Sequence, residues 1–183
     1  MGKIYEEITP ELIAWIEQQH LFFVATAPLG NTGHINCSPK GLDTFRILDS
    51  KRVAYLDLTG SGAETIAHLR ENGRIVFMFC ALEGPPKIVR FHGKGNVITP
   101  SSTDWPALRS SFPGYPGARA IILADITRVT DSCGYGVPKY EYLEERDTLE
   151  RWAEAKGIEG LPLYRKQKNA RSIDNLPSLD NEP

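Results

Sequence analysis

Two short clusters carry the residue types from which a small anion site could be built. Ser38-Pro39-Lys40-Gly41 ends an apolar stretch with a hydroxyl, a cation and a glycine. Thr59-Gly60-Ser61-Gly62 follows the apolar run Arg52–Leu58 and leads into AETIAHLREN. A loop of small residues feeding a helix start exposes backbone N–H groups and the positive end of the helix dipole. Lys40 supplies the charge a phosphate needs, and Gly41 lets backbone approach closely. The loop is neither a P-loop nor a dinucleotide fingerprint, because no Gly-Lys-Ser/Thr and no G-x-G-x-x-G is present. A ligand-free explanation stands beside the anion reading. Ser61 and Glu64 have the S-x-x-E spacing of a capping box, and SPKG suits a surface turn at a strand end.

Other polar groups are less specific. Arg90, His92 and Lys94 share one face of a strand by the two-residue period, as a solvated surface, an anion wall or a subunit contact would require. The end LYRKQKNARS offers Lys168, Asn169, Arg171 and Ser172 to a ligand or a partner, or simply to water. His34 and His92 lack metal-ligand spacing. Cys37, Cys80 and Cys133 are far apart and form no CxxC pair, so neither a zinc site nor a disulfide framework is expected. Cys80, inside an apolar run, is expected to be buried. No Ser-His-Asp order and no paired catalytic carboxylates stand out. Any redox chemistry would have to come from a cofactor.

The elements that must position these groups follow from periodicity and punctuation. Thr9-Pro10 opens a helix with Leu12, Ile13, Trp15 and Ile16 on its apolar side, expected to end near His20. LFFVATA, HINCS, TFRIL and RVAYLDL read as strands joined by Gly, Asn and Asp turns. A helix is expected from about Gly62 to Glu71, stopped by Asn72-Gly73. RIVFMFCAL is a central strand, and KIVRFHGKGNVIT is a long one that Gly93 and Gly95 mark for a bulge. PSSTDWPALRSSF is a short irregular helix, and RAIILADITRVTD a long strand. Asp147 caps the helix TLERWAEAKG, Gly157 ends it, and LPLYRKQKNA forms a second helical piece. The last residues are expected to be disordered. Strands in hairpin order without βαβ units favour a small antiparallel barrel with peripheral helices over a parallel sheet.

The chain has 183 residues, 41% hydrophobic and 24% charged, with a formal net charge of −2. That suits one soluble domain and argues against nucleic acid as the main partner. No apolar run approaches the roughly 18 residues of a membrane span, and acids at the N-terminus argue against a secretory signal. A cytoplasmic protein is expected.

In this order, LFFVATA, HINCSPKG, RVAYLDLTGSGAETIAHLRENGRIVFMF, IVRFHGKGNVI and RAIILADITRVTDSCGYGVP resemble the pyridoxamine 5′-phosphate oxidase-like, FMN-binding split-barrel family. The resemblance spans about Thr9 to Leu176. It implies a mainly β fold with peripheral helices, a six-stranded antiparallel split barrel. It also implies one domain over 1–183, with a helical extension at about 147–176. FMN would lie at a homodimer interface, touched by both chains. Ser38, Lys40 and Gly41 would lie beside the flavin and its phosphate. Asp57, Leu58, Thr59, Ser61 and Thr65 would line the ribityl chain and phosphate. Arg90 and the tail Asn169, Arg171 and Ser172 would close the site from the second chain. The family's oxidases place basic residues at the helix start, where this chain has Glu64 and Thr65. Their C-terminal Arg/Trp segment is not recognisable either, so pyridoxamine phosphate oxidation is not assigned. The expectation is an FMN-dependent oxidoreductase for an unknown small molecule. Two alternatives remain: a non-catalytic module for haem, which would need His92 or His34, or for a deazaflavin or other ligand; and a dimeric scaffold with an empty pocket.

Overall fold

The computed structural model describes residues 2–179; the expected disordered end lies partly outside them. Thr9 caps α1 (Pro10–Ile16) by accepting a hydrogen bond from the Leu12 N–H at 3.4 Å. The helix stops four residues before His20. Its Leu12 and Ile16 are buried in the main core.

Strands β2 (Phe22–Thr26), β3 (Asn36–Lys40), β4 (Phe45–Ile47), β5 (Arg52–Leu58), β6 (Arg74–Cys80), β7 (Ile88–Ile98) and β8 (Ala118–Ser132) form one path in the order β3-β2-β6-β7-β8-β5-β4. Every pairing is antiparallel. The path has seven strands where six were expected. Leu42, at φ 59°, turns the chain out of β3, so Phe45–Ile47 lies along β5 as a strand of its own. A two-residue β1 (Ile4–Tyr5), absent from the sequence reading, pairs with β8 and is pinned by Tyr5 Oη donating to Asp131 at 2.5 Å. The expected bulge in β7 falls between His92 and Gly93.

The sheet is curled. Phe22 of β2 and Phe45 of β4 stand near opposite ends of the path, yet their rings are 5.1 Å apart across the interior. Phe45 also meets Phe77 and Phe79 edge-on at 5.6 and 5.0 Å. Tilted ring pairs of this kind add about 0.5–1.5 kcal/mol beyond area burial. This is a split barrel with an aromatic core, closed at one end by α1 and on one side by α2 (Glu64–Asn72). Ile66 and Leu69 of α2 enter the core, and Gly73 at φ 72° forms its left-handed stop.

The other face of β5 and β8 buries Ala54, Leu56 and Ile121 beneath Phe112 and α3 (Trp105–Arg109). The C-terminal helix α4 (Thr148–Lys168) is two pieces meeting at Gly157, as its sequence required. Asp147 stands at its start but makes no side-chain cap; its carboxylate takes Arg151 at 2.6 Å instead. Cys80 is half-buried rather than buried, and Cys37 and Cys133 are exposed. No helix among the described residues is long and apolar enough to cross a membrane.

Candidate functional site

At one end of the barrel, β3, β5, β8 and the start of α2 enclose a polar cavity of about 270 Å³. Ser38 and Lys40 enter from β3, Asp57 and Leu58 from β5, and Arg119 from β8. Gly60 to Thr65 complete the wall. Strand alternation does this work, since Asn36, Ser38 and Lys40 are two residues apart on one face.

Charge is organised around Asp57, which is 1% exposed. Arg119 Nε donates to Asp57 Oδ2 at 2.7 Å, and Lys40 Nζ donates to Oδ1 at 3.2 Å. Burial pushes the Asp57 carboxyl up, but the Arg119 and Lys40 charges outweigh it and hold it below the usual carboxylate range. Two cations thus share one anion. Arg119 is 5% exposed, and its Nη1 is buried without a hydrogen-bond partner. A buried guanidinium nitrogen left unpaired is costly, and an anion in the cavity is the natural acceptor.

Hydroxyls and backbone supply the rest. Ser38 Oγ donates to Asn36 Oδ1 at 3.1 Å, and Asn36 Nδ2 donates to Thr65 Oγ1 at 3.0 Å. The N–H groups of Glu64, Thr65 and Ile66 lie in the first turn of α2, where no helical carbonyl can reach them. The capping box is not formed. Ala63 is the N-cap residue, no side chain caps the helix, and Glu64 Oε1 instead accepts the Ile173 N–H at 3.3 Å. The long-range partner wins because the tail lies against the helix start. A Cβ on Gly62 would come within 2.2 Å of Glu64 Oε2, so glycine is needed for this carboxylate to fold back.

Of the residues singled out in the sequence, Ser38, Lys40, Asp57, Leu58, Ser61 and Thr65 all line this cavity. Gly41 and Thr59 line an adjoining cavity of about 650 Å³ that shares Lys40, Leu58 and Gly60 with it. Leu56, Pro39, Leu149 and Trp152 give that second space an apolar wall. Arg90 lies elsewhere on β7, where Nη1 donates to Ser132 Oγ at 3.0 Å. Asn169, Arg171 and Ser172 do not line the cavity. Asn169 is buried behind the loop of its own chain, donating to Gly60 O at 2.9 Å. Arg171 Nη1 donates to Asn175 O at 3.0 Å, and Ser172 Oγ accepts the Leu176 N–H at 3.1 Å. His34 is paired with Asp174 at 2.6 Å and His92 lies on β7, so neither histidine lines either cavity.

Sequence reasoning missed Asn36, Arg119 and Arg165. Arg119 opens the apolar first half of β8, and only its isolation there could have flagged it. Arg165 Nε donates to Thr59 Oγ1 at 2.9 Å and Nη2 to Ala118 O at 3.1 Å. Burial and the nearby Arg119 lower the Arg165 pKa, with Asp57 opposing them.

Comparison with known proteins matches the same elements. The sequence pattern described as Pyridoxamine 5'-phosphate oxidase fits residues 8–133, from the cap of α1 to the end of β8. The chain is 41% identical over 196 residues to the pyridoxamine 5'-phosphate oxidase family protein ustO of Aspergillus flavus, covering 98% of this chain and 78% of that one. A crystal structure of HupZ from Group A Streptococcus superposes with a TM-score of 0.54 at 25% identity, covering 67% of this chain and 91% of that one. A FAD-binding protein from Mesorhizobium loti shares the fold at a TM-score of 0.50 and 14% identity, covering 72% of this chain and 96% of that one. With matches in both sequence and fold, this chain belongs to the pyridoxamine 5'-phosphate oxidase family.

Proposed function

We propose that this protein binds FMN and acts as a flavin-dependent oxidoreductase on a small molecule, as a homodimer in the cytoplasm. The observation that carries the reading is the buried Arg119–Asp57–Lys40 cluster beside the loop Thr59–Gly62. The lining carries Lys40 and Arg119 against Asp57 and Glu64, so its formal charges balance. What draws an anion is the buried, unpartnered Arg119 Nη1 together with the hydroxyls and first-turn N–H groups of the wall, while Glu64 Oε1 is turned to the Ile173 N–H. A phosphate monoester satisfies all three kinds of donor. The adjoining apolar cavity, walled by Leu56, Leu58, Leu149 and Trp152, suits a large flat ring next to a bound phosphate. That a protein of the same fold is described as FAD-binding is in keeping with a flavin.

The residues have distinct tasks. Asp57 fixes the directions of Arg119 and Lys40 in advance, so little ordering is left for the moment of binding. Arg119 and Lys40 attract and orient the phosphate. Ser61 and Thr65 are placed to donate to its oxygens, and Ser38, whose hydrogen goes to Asn36 Oδ1, would do so by turning its hydroxyl. Glu64, drawn to the Ile173 N–H, keeps its negative charge engaged with the tail. When bound, FMN would supply hydride or electron transfer, which no side chain of this site can perform.

The test is direct. Purified protein should be yellow or become so with FMN, and mass spectrometry of the released ligand should find FMN. A colourless protein that takes up no FMN would remove this reading, and a deazaflavin in the released fraction would replace it.

A further inference from the structure

The loop that walls the cavity is held from behind by the C-terminal segment of the same chain. Asn169 Nδ2 donates to Gly60 O at 2.9 Å, and Ser178 Oγ donates to Ala63 O at 3.1 Å. Arg165 Nε donates to Thr59 Oγ1 at 2.9 Å, and the Ile173 N–H reaches Glu64. Each tie crosses more than a hundred positions of sequence: 106 for Arg165, 109 for Asn169 and Ile173, 115 for Ser178. The segment is itself anchored. Leu179 belongs to the main core, its N–H donates to Asn169 O at 3.1 Å, and the Ser178 N–H donates to Ala170 O at 2.8 Å.

Gly60 and Ala63 line the cavity, whereas Asn169 and Ser178 do not, and both are fully buried. The two carbonyls they hold therefore point out of the cavity. Ala63 O also accepts the Ala67 N–H at 3.1 Å, the first bond of α2, so Ser178 ties an already directed carbonyl to the tail. The Gly60 carbonyl, held by Asn169, is the one that would set its negative end against an anion if it swung inward. Asn169 keeps this contact although its own Oδ1 is buried without a partner, an unfavourable arrangement that placing the donor justifies.

We propose that Asn169 and Ser178 are positioning residues of the anion loop: from behind, Asn169 holds the Gly60 carbonyl outward and Ser178 ties the Ala63 carbonyl to the tail, so that the loop offers N–H groups to a phosphate. Neither touches the ligand. The phosphate part of this inference rests on the flavin reading; the holding of the loop does not. Docking of the tail and binding of the anion then favour each other by the same factor, as linkage requires.

Two measurements on the full-length protein separate the parts. The first is amide hydrogen exchange without ligand, in wild type, Asn169→Ala, Ser178→Ala and Ser178→Thr. Exchange at the hydrogen-bonded amides that flank the loop, Thr59 (to Gly117 O) and Ala67 (to Ala63 O), should rise about tenfold in the alanine variants, with β6 and β7 unchanged and Ser178→Thr close to wild type. Unchanged exchange in Ser178→Ala, the milder variant, would overturn the proposal. So would a uniform rise across the barrel, which marks general destabilisation. The second is the affinity ratio of FMN to riboflavin, which lacks the phosphate. Wild type should prefer FMN, and the alanine variants should lose about tenfold of that preference while riboflavin binding stays constant. A ratio unchanged by both variants would overturn the positioning role. A wild type with no preference, together with faster exchange in the variants, would leave the loop-holding role standing and refute the phosphate site on which the proposed function rests.

Discussion

Arg119 donates to Asp57 at 2.7 Å across the floor of the cavity, both side chains almost wholly buried. Lys40 reaches the second oxygen of the same carboxylate, so one end of the barrel carries two cations around one anion.

Breaking that arrangement should be expensive. Asp57→Asn leaves two buried or half-buried cations without a counter-charge, and chemical denaturation should show a loss of about 3–5 kcal/mol. Because the Asp57 pKa is depressed in the folded state, its contribution is present above the unfolded carboxylate value of about 4 and is lost as pH falls through the folded value. The variant should therefore lose part of the wild-type acid sensitivity in that window. Saturating inorganic phosphate should restore part of its melting temperature by supplying the missing anion.

Lys40 and Glu64 should act oppositely. Lys40→Ala removes a charge-assisted donor and should weaken FMN binding about tenfold or more. Glu64→Ala removes a negative charge near the phosphate and should leave affinity unchanged or raise it. Fluorescence titration of FMN against both variants checks the order; a larger loss for Glu64→Ala would reverse the assignment.

Gly62 and Glu64 should be coupled. The Cβ of Gly62→Ala would displace the Glu64 carboxylate from its place beside the loop and so from the Ile173 N–H. A loss of about 1 kcal/mol is expected in the wild-type background. In the Glu64→Ala background the same substitution should cost little, giving a clear interaction energy in a double-mutant cycle.

The short β1 makes a spectroscopic prediction. The hydrogen bond to Asp131, helped by partial burial, raises the Tyr5 pKa to about 12. Ultraviolet titration of Asp131→Asn should bring one tyrosine back toward about 10. A raised folded value means that the Tyr5 contribution to stability is complete below the unfolded value and disappears as pH rises through about 12.

The fold was legible because its signals are local. Thr9-Pro10 starts α1, Gly73 ends α2, Gly157 divides α4, and the strand runs have the expected period. Ser38, Lys40 and Ser61 stood out in the sequence because polar residues and glycines cluster at a strand end and a helix start, whereas Thr65 came only with the family resemblance; the fold brings all four to one cavity. Arg119 was hidden, since it sits in the apolar first half of β8 and its partner Asp57 is 62 positions away. The Ser61/Glu64 capping box failed for the same reason: a donor 109 positions downstream took the carboxylate that local spacing assigned to the helix start. Asn169 was identified as a polar residue of interest, but only tertiary structure places it behind the loop of its own chain.

The central claim is that the cavity around Arg119, Lys40 and the Thr59–Gly62 loop holds the phosphate of a flavin. Side-by-side titration of the purified, ligand-stripped protein with FMN and riboflavin tests it most directly. The account predicts saturable FMN binding at least about tenfold tighter than riboflavin binding, with inorganic phosphate competing. Equal affinity for the two flavins, or binding of neither, would contradict it.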